Sequence, residues 1–378
     1  MVEYKNKFRV ATTQIAPVWL DAQATVDKAI AWAAEAADNG AELIAFPEVF
    51  VPGYPYHLWG NSALAGMAKF TIPYHQNSLT IDGPEVQSLQ AAAAEHKIAI
   101  VMGISERAGA SLYMTQLIID PDGKLVAGRR KLKPTHLERS LFGEGNGSDL
   151  AVFDLPMARV GALNCWEHVQ PLSKMALYSQ HEQVHVASWP GMSLYQPEVF
   201  AFSVEAQLIA TRSYALEGGT FVLCSTQVVD QAAHETFTTT DEERKLIGSG
   251  GGFGRIFGPD GSQLSEALPE DAEGILYADV DLAMIALAKQ SADPVGHYAR
   301  PDVYSLHLNT TNTAPAYEWR EPVRTVNLNR DGAPLAPAKE RGEPMLIDSP
   351  RPQIEAAGSE WLADESHGQD AAAIAGSQ

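Results

Sequence analysis

Residues 8–46 read FRVATTQIAPVWLDAQATVDKAIAWAAEAADNGAELIAF. The opening FRVATTQIA has the character of a strand. From about Asp21 to Asn39, Val26, Ala29, Ile30 and Ala33 share one face of a 3.6-residue period, and Gly40 stops the helix. AELIAF then makes a second, buried strand. Strand, helix, strand at this spacing predicts a layered α/β architecture.

The alternation recurs outward from this segment. EVQSLQAAAAEHK precedes IAIVMGISE, SKMALYSQ precedes VHVASWP, and VFAFSVEAQLIATRSYALEG precedes TFVLCSTQVV, each pair reading as helix then strand. Pro-Asp-Gly turns in LIIDPDGKLVAG and RIFGPDGSQLSEAL predict two strand hairpins, because proline presets the turn and glycine relieves it. The sheet is therefore expected to be mixed. From about residue 285 the pattern loosens, and Ser349–Gln378 is polar, alanine-rich and acidic, a composition that does not offset the entropy of ordering it. A mobile tail is expected there, with a main domain over residues 1–300 and an extension over 301–378.

A chain of 378 residues with 45% hydrophobic content can bury a large core. Its net charge of -20 repels phosphate backbones and anionic lipid, so nucleic acid and membrane surfaces are excluded as expected partners. No apolar run reaches the length of a signal peptide or a membrane span, and two cysteines cannot build a disulfide framework. A cytoplasmic protein with two free thiols is expected.

Three segments place a reactive side chain after an apolar strand. In VGALNCWEH, Cys165 stands where a buried strand breaks into a loop, rigid below and open above, as a covalent nucleophile requires. Most free cysteines are simply small buried hydrophobes, and Cys224 in TFVLCSTQVV reads that way. In ELIAFPEVFVPGYPYHLWG, Glu48 follows its strand in apolar surroundings that disfavour its charged form and raise its pKa toward that of a useful base. In GRRKLKPTHLERSLFGEG, four basic residues fall within five positions. Such a run ordinarily forms a solvated face, yet one lysine turned inward would stabilise negative charge beside a nucleophile. His168 lies three positions after the thiol, too close in sequence to be assigned as its partner.

Glutamate, lysine and cysteine in this order resemble the nitrilase superfamily of carbon–nitrogen hydrolases, from FRVATTQIAP to about DPVGHYARPDVYSL. FPEVFVPGYP matches the family's glutamate motif at Glu48, RRKLKPTHLER its lysine motif at Lys131, and LNCWEH its cysteine motif at Cys165; a second glutamate of the family's site falls on Glu138. CWEH, HEQVHVASWPG, GGGFGRIFGPDG and DPVGHYARPDV resemble the nitrilase branch proper.

The resemblance implies a four-layer α-β-β-α sandwich and hydrolysis of an organic nitrile to a carboxylic acid and ammonia through a cysteine thioimidate, with no metal or organic cofactor. An amidase, a nitrile-hydrating enzyme or a silent filament-forming scaffold are the alternatives. It also implies self-association through outer helices into dimers and larger spirals, with the region of His297 and the stretch from Leu216 to Gly250 as contact surfaces. Tyr54, Trp59, Trp166, Trp189 and Met192 are candidate substrate contacts, an aromatic set suited to an aromatic or arylaliphatic nitrile.

Two further motifs compete. His181–His185 reads HEQVH, a literal match to a zinc-protease pattern that works only on a helix, where residues four apart share a face. Here β-branched alternation follows, so the match is expected to straddle a helix end and a strand start. GSGGGFG lacks the lysine of a phosphate loop and leads toward a strand, which fits a close backbone approach instead of a nucleotide.

Overall fold

The computed structural model describes residues 6–60, 63–311, 317–318 and 324–325. The chain divides into two compact units, of which the first runs past residue 300 and carries every element named below. In the second, Tyr317–Glu318 pairs antiparallel with Arg324–Thr325. The tail expected over Ser349–Gln378 lies outside the described residues.

The strands of the first unit are β1 (Lys7–Gln14), β2 (Ala41–Ala45), β3 (Ala99–Ala108), β4 (Ser111–Ile119), β5 (Leu125–Arg130), β6 (Phe142–Gly143), β7 (Phe153–Asp154), β8 (Arg159–Asn164), β9 (Val184–Trp189), β10 (Phe221–Thr226), β11 (Arg255–Phe257) and β12 (Gly274–Asp281). The helices are α1 (Ala22–Asp38), α2 (His57–Gly60), α3 (Ala63–Gln76), α4 (Pro84–His96), α5 (Pro171–Tyr178), α6 (Val204–Gly218), α7 (Gln231–Phe237), α8 (Asp241–Ile247) and α9 (Ala283–Lys289).

The strands run β5-β4-β3-β2-β1-β10-β9-β8-β7, with β12 antiparallel on β1. β1 and β10 pair only through Gln14 and Thr226, so the hydrogen-bonded path is continuous yet hinges there into two half-sheets. Strand alternation shows that the halves face each other. Leu43, Ala45, Ala99, Val101 and Ile118 of one half share a buried cluster with Val160, Ala162, Val184, Val186 and Leu223 of the other.

The opposite face of the first half carries Ile44, Ile100 and Met102 against Val26, Ala29 and Ala33 of α1 and Val86, Leu89 and Ala93 of α4. The opposite face of the second half carries Ala187, Val222 and Cys224 against Ala176 and Leu177 of α5 and Tyr214 and Ala215 of α6. Helix, sheet, sheet, helix is the four-layer sandwich that the resemblance implies. Among the described residues no helix is long and apolar enough to cross a membrane.

Two local readings change. The stretch beginning VFAF is not one helix, because the Ser203 hydroxyl accepts from Ala206 N at 3.2 Å and caps α6 there, leaving Phe200–Phe202 as a separate tight turn. The second Pro-Asp-Gly turn closes a single bridge between Phe257 and Gln263 instead of a strand pair, since the Ser265 hydroxyl takes the Ile256 N–H. The first turn does join β4 to β5 antiparallel.

Candidate active site

Glu48 lies in the connection from β2 to α2, three residues past the strand, and its carboxyl is fully buried. Gln227 Nε2 donates to the Glu48 carbonyl at 2.6 Å and fastens the loop to the end of β10. The loop also rests on β3 at Gly103, where a side chain would collide with the Pro47 carbonyl and lie 2.9 Å from Glu48 Cα. Lys131 follows β5, its own N–H held by Met114 O at 2.7 Å. Its ammonium donates to Glu48 Oε1 at 2.8 Å and Glu138 Oε2 at 2.7 Å.

Glu138 sits on the tight turn His136–Ser140, where Thr135 N donates to Oε2 at 2.6 Å and Tyr54 OH donates to Oε1 at 2.7 Å. Trp59 Nε1 in turn donates to Tyr54 OH at 3.1 Å. Both Glu138 oxygens are thus engaged. Glu48 Oε2, by contrast, is buried and accepts no hydrogen bond among the described residues.

Cys165 closes β8 and opens the tight turn Cys165–Val169. Its φ of 49° lies in the left-handed region, which for a residue with a side chain is a strained conformation held by its surroundings. The thiol and one oxygen from each of Glu48 and Glu138 lie within 4.8 Å of one another. A thiol, two carboxyls and an ammonium, separated by more than a hundred positions in sequence, therefore share one buried pocket.

Burial dominates the electrostatics. It lifts the Glu48 carboxyl to about 8, against the opposing pull of the Lys131 ammonium. Burial, with Glu48 beside it, also pushes the Cys165 thiol well above its ordinary value, while Lys131 and the Trp166 N–H pull it back. For Lys131 burial works against the charged form, but Glu138 and Glu48 outweigh it and hold the ammonium protonated. The site can thus supply a base of unusual strength, a nucleophile beside it and a fixed positive charge. The place a metal ion would take between these carboxyls is filled by the ammonium itself.

The basic run does not form a solvated face. Arg129, Arg130 and Lys131 are all buried, and each has found an acid: Glu167, Glu106, and Glu48 with Glu138. Lys133 stays exposed. Glu167, two positions after the thiol, accepts from Arg129 twice, from Asn164 N at 2.8 Å and from Leu132 N at 2.9 Å. It joins the residues flanking Cys165 to those flanking Lys131, and Arg129 holds its pKa below the ordinary value against burial.

Trp59, Trp166 and Phe202 form an aromatic wall with His136 and Tyr195; Trp166 and Phe202 lie 5.4 Å apart, as do Trp59 and Phe202. Tyr54 backs Glu138. Trp189 is fully buried and packs on His168 and Phe253. Met192 shares the buried cluster of Cys165 and lines a cleft of about 510 Å³ with Ser193, Gln196 and Leu208.

Cys224 is buried in the second half-sheet, where burial pushes its thiol up to about 12, as a core residue would be. HEQVH begins after α5 has ended, not across its end as expected, and runs through the connection into the start of β9: His181 is exposed on a turn, and His185 is buried with its ring nitrogens 2.9 Å from His168 and 2.7 Å from Glu182. GSGGGFG runs into β11, and Gly251 O accepts the Met192 N–H.

A four-layer sandwich with a thiol at the end of a buried strand and a glutamate and a lysine against it defines a class, the carbon–nitrogen hydrolases. Residues 9–290 match the family model described as carbon-nitrogen hydrolase, and the chain belongs to that family, in its nitrilase branch. It is 69% identical over 315 residues to an aliphatic nitrilase of Rhodococcus rhodochrous, covering 83% of this chain and 86% of that one. It is 44% identical over 329 residues to an arylacetonitrilase of Aspergillus niger, covering 84% and 99%. A carbon-nitrogen hydrolase from Helicobacter pylori superposes with a TM-score of 0.61 at 16% identity over 79% of this chain and 97% of that one, a likeness of fold.

Proposed function

We propose that the protein hydrolyses an organic nitrile to the carboxylic acid and ammonia, with Cys165 as nucleophile, Glu48 as base and Lys131 as the holder of developing charge. The observation that carries this reading is the unpartnered Glu48 Oε2, buried in the same pocket as the thiol while Lys131 occupies Oε1.

Glu48 takes the thiol proton as sulfur adds to the nitrile carbon, and a proton returned to nitrogen gives a thioimidate. Water, deprotonated by Glu48, adds to that carbon, and the tetrahedral intermediate expels ammonia to leave a thioester. A second water releases the acid and restores the thiol. Lys131 and the Trp166 N–H stabilise the anionic stages. Glu138, tied to Tyr54 and Thr135, keeps the ammonium in place. The balance is one nitrile and two waters to one acid and one ammonia, with no redox step.

The substrate class follows from how the aromatic residues are used. Tyr54 and Trp59 support Glu138, and Trp189 packs behind His168, which favours an aliphatic nitrile and agrees with the name of the Rhodococcus relative. The aromatic wall of Trp59, Trp166 and Phe202 favours a second reading, an arylaliphatic nitrile, in line with the Aspergillus relative. Incubation with a short aliphatic dinitrile, benzonitrile and phenylacetonitrile, with ammonia, amide and acid all measured, decides. Acid and ammonia from the dinitrile support the first reading and faster phenylacetonitrile turnover the second. Amide as the main product points to a hydrating enzyme, and no turnover of any nitrile points to an amidase or a scaffold.

The outer face of the second helical layer supports self-association. Val169, Leu172, Ile209 and Leu216, on α5, α6 and the turn that precedes α5, are 56–62% exposed, and exposed apolar side chains are what an association surface would use. Sedimentation that finds only monomer at assay concentration overturns this reading.

A further inference from the structure

Behind the nucleophile runs a file of buried polar side chains that the reaction above does not use. His168 Nδ1 lies 2.6 Å from the Cys165 carbonyl oxygen, and His168 Nε2 lies 2.9 Å from His185 Nε2. His185 Nδ1 lies 2.7 Å from Glu182 Oε1, and Tyr214 OH donates to Glu182 Oε2 at 2.6 Å. His168, His185, Glu182 and Tyr214 are each 3% exposed or less. Burying four polar groups is unfavourable unless every one is paired, and apolar side chains would fill the same space more simply.

The hydrogen positions follow from the carbonyl inward. A carbonyl only accepts, so His168 Nδ1 carries hydrogen and its Nε2 is bare. His185 Nε2 then donates to it, which leaves His185 Nδ1 bare, and the proton on that contact belongs to Glu182. Burial agrees: it lifts the Glu182 carboxyl to about 8 and drives both imidazoles well below their ordinary value. The file is neutral, each member donating to the next, from the Tyr214 hydroxyl to the Cys165 carbonyl. At Gly161, on the strand that leads to Cys165, a side chain would collide with the Glu182 carboxyl, so this glycine makes room for the file.

We propose that Glu182, His185 and His168 form a positioning relay for the nucleophile, setting the peptide plane between Cys165 and Trp166 so that the Trp166 N–H is presented to the sulfur. The inference rests on the reading of Cys165 as nucleophile. A peptide unit is planar with its C=O and N–H opposed, so drawing the Cys165 carbonyl toward His168 turns the Trp166 N–H the other way. Beside the sulfur, that N–H favours the thiolate and pulls the thiol pKa down against burial. The same hold on the carbonyl fixes Cys165 in its left-handed conformation, and a hydrogen bond to the carbonyl polarises the N–H of that peptide. None of the three touches reacting atoms, and two belong to HEQVH, whose zinc reading the fold removes.

The test uses the full chain with four substitutions. His168→Ala and Glu182→Leu break the relay, whereas His168→Asn keeps a donor where Nδ1 stands and Glu182→Gln keeps an N–H where the carboxyl O–H faces His185. Two readouts are taken: kcat and KM on the best nitrile of the panel, and the pH profile of Cys165 alkylation by iodoacetamide, located by mass spectrometry.

His168→Ala and Glu182→Leu lower kcat by about tenfold or more with KM nearly unchanged, the scale of weakening one charge-stabilising donor, and move alkylation to higher pH. His168→Asn and Glu182→Gln recover most of both. A folded His168→Ala with normal kcat and a normal alkylation profile overturns the relay. Where the two disruptive variants do not fold, a folded His168→Asn or Glu182→Gln that has lost as much as about a hundredfold in kcat overturns it instead. Cys165→Ala with full turnover would sink the underlying reading and not the relay alone.

Discussion

Arg129 and Glu167 grip each other through two parallel hydrogen bonds of 2.6 and 2.5 Å, both side chains buried, and that grip couples the strand leading into Lys131 to the turn that starts at Cys165. The same carboxylate takes the N–H groups of Leu132 and Asn164, the immediate neighbours of Lys131 and Cys165. The separation of thiol and ammonium is therefore set by a residue that touches neither.

Removing one partner of this pair leaves an uncompensated buried charge, and Arg129→Met should cost about 3–5 kcal/mol in urea unfolding. Leu132 N and Asn164 N donate to different oxygens of Glu167, so adding Glu167→Gln removes the stranded charge and keeps an acceptor for one of the two, and the double variant recovers part of the loss. A double variant less stable than Arg129→Met would show that the carboxylate matters for reasons other than this pairing.

Glu48 predicts the acid side of the pH profile. With its carboxyl lifted to about 8, the base form is a minority at neutral pH and grows as pH rises. Burial and Glu48 push the thiol up, and Glu138 and Glu48 hold the lysine up, so neither imposes a falling limb at mildly alkaline pH. The quantity kcat/KM should climb by about tenfold per unit up to pH 8 and level off above it. A profile already flat from pH 6 would contradict the lifted carboxyl.

Cys165→Ala should abolish acid and ammonia formation while the protein melts near the parent temperature, since the side chain is small and the backbone conformation is held by its neighbours. Substantial residual turnover would count against the nucleophile assignment.

Tyr54→Phe removes one of three hydrogen bonds to Glu138 without changing shape. A bond to a charged group is worth about 1.5–3 kcal/mol, so kcat should fall by roughly ten- to a hundredfold if Glu138 orients the ammonium in the transition state. An increase in KM with kcat intact would instead make Tyr54 a substrate contact, the role its place in the sequence suggests.

Much of this was legible from residue order. Periods of 3.6 and 2 leave a local trace, so the layers could be read, and a reactive side chain directly after an apolar run marked Glu48 and Cys165. What the chain order hides is pairing across distance. Arg129 and Arg130 look like a solvated run because their acids, Glu167 and Glu106, lie 38 and 24 positions away. Glu182 and His185 look like part of a metal motif because only the break between α5 and β9 separates them from a helix, and only the fold brings His168 to them.

The stability of the site carries its own signature, because Glu48 keeps its proton in the folded state where the unfolded chain has lost it. Between an ordinary glutamate value near 4.5 and about 8, the folded protein binds more protons than the unfolded one, so this residue makes stability fall as pH rises through that window. Glu48→Gln removes the titration and retains an oxygen for Lys131, whose ammonium still has Glu138. The variant should lack turnover at every pH, yet its melting temperature relative to the parent should improve on going from pH 5 to pH 9, as expected where catalysis and stability compete for one buried carboxyl. A relative melting temperature that stays constant or declines across that range would mean that Glu48 is ionised in the resting protein, and the base would then have to draw its strength from something other than burial.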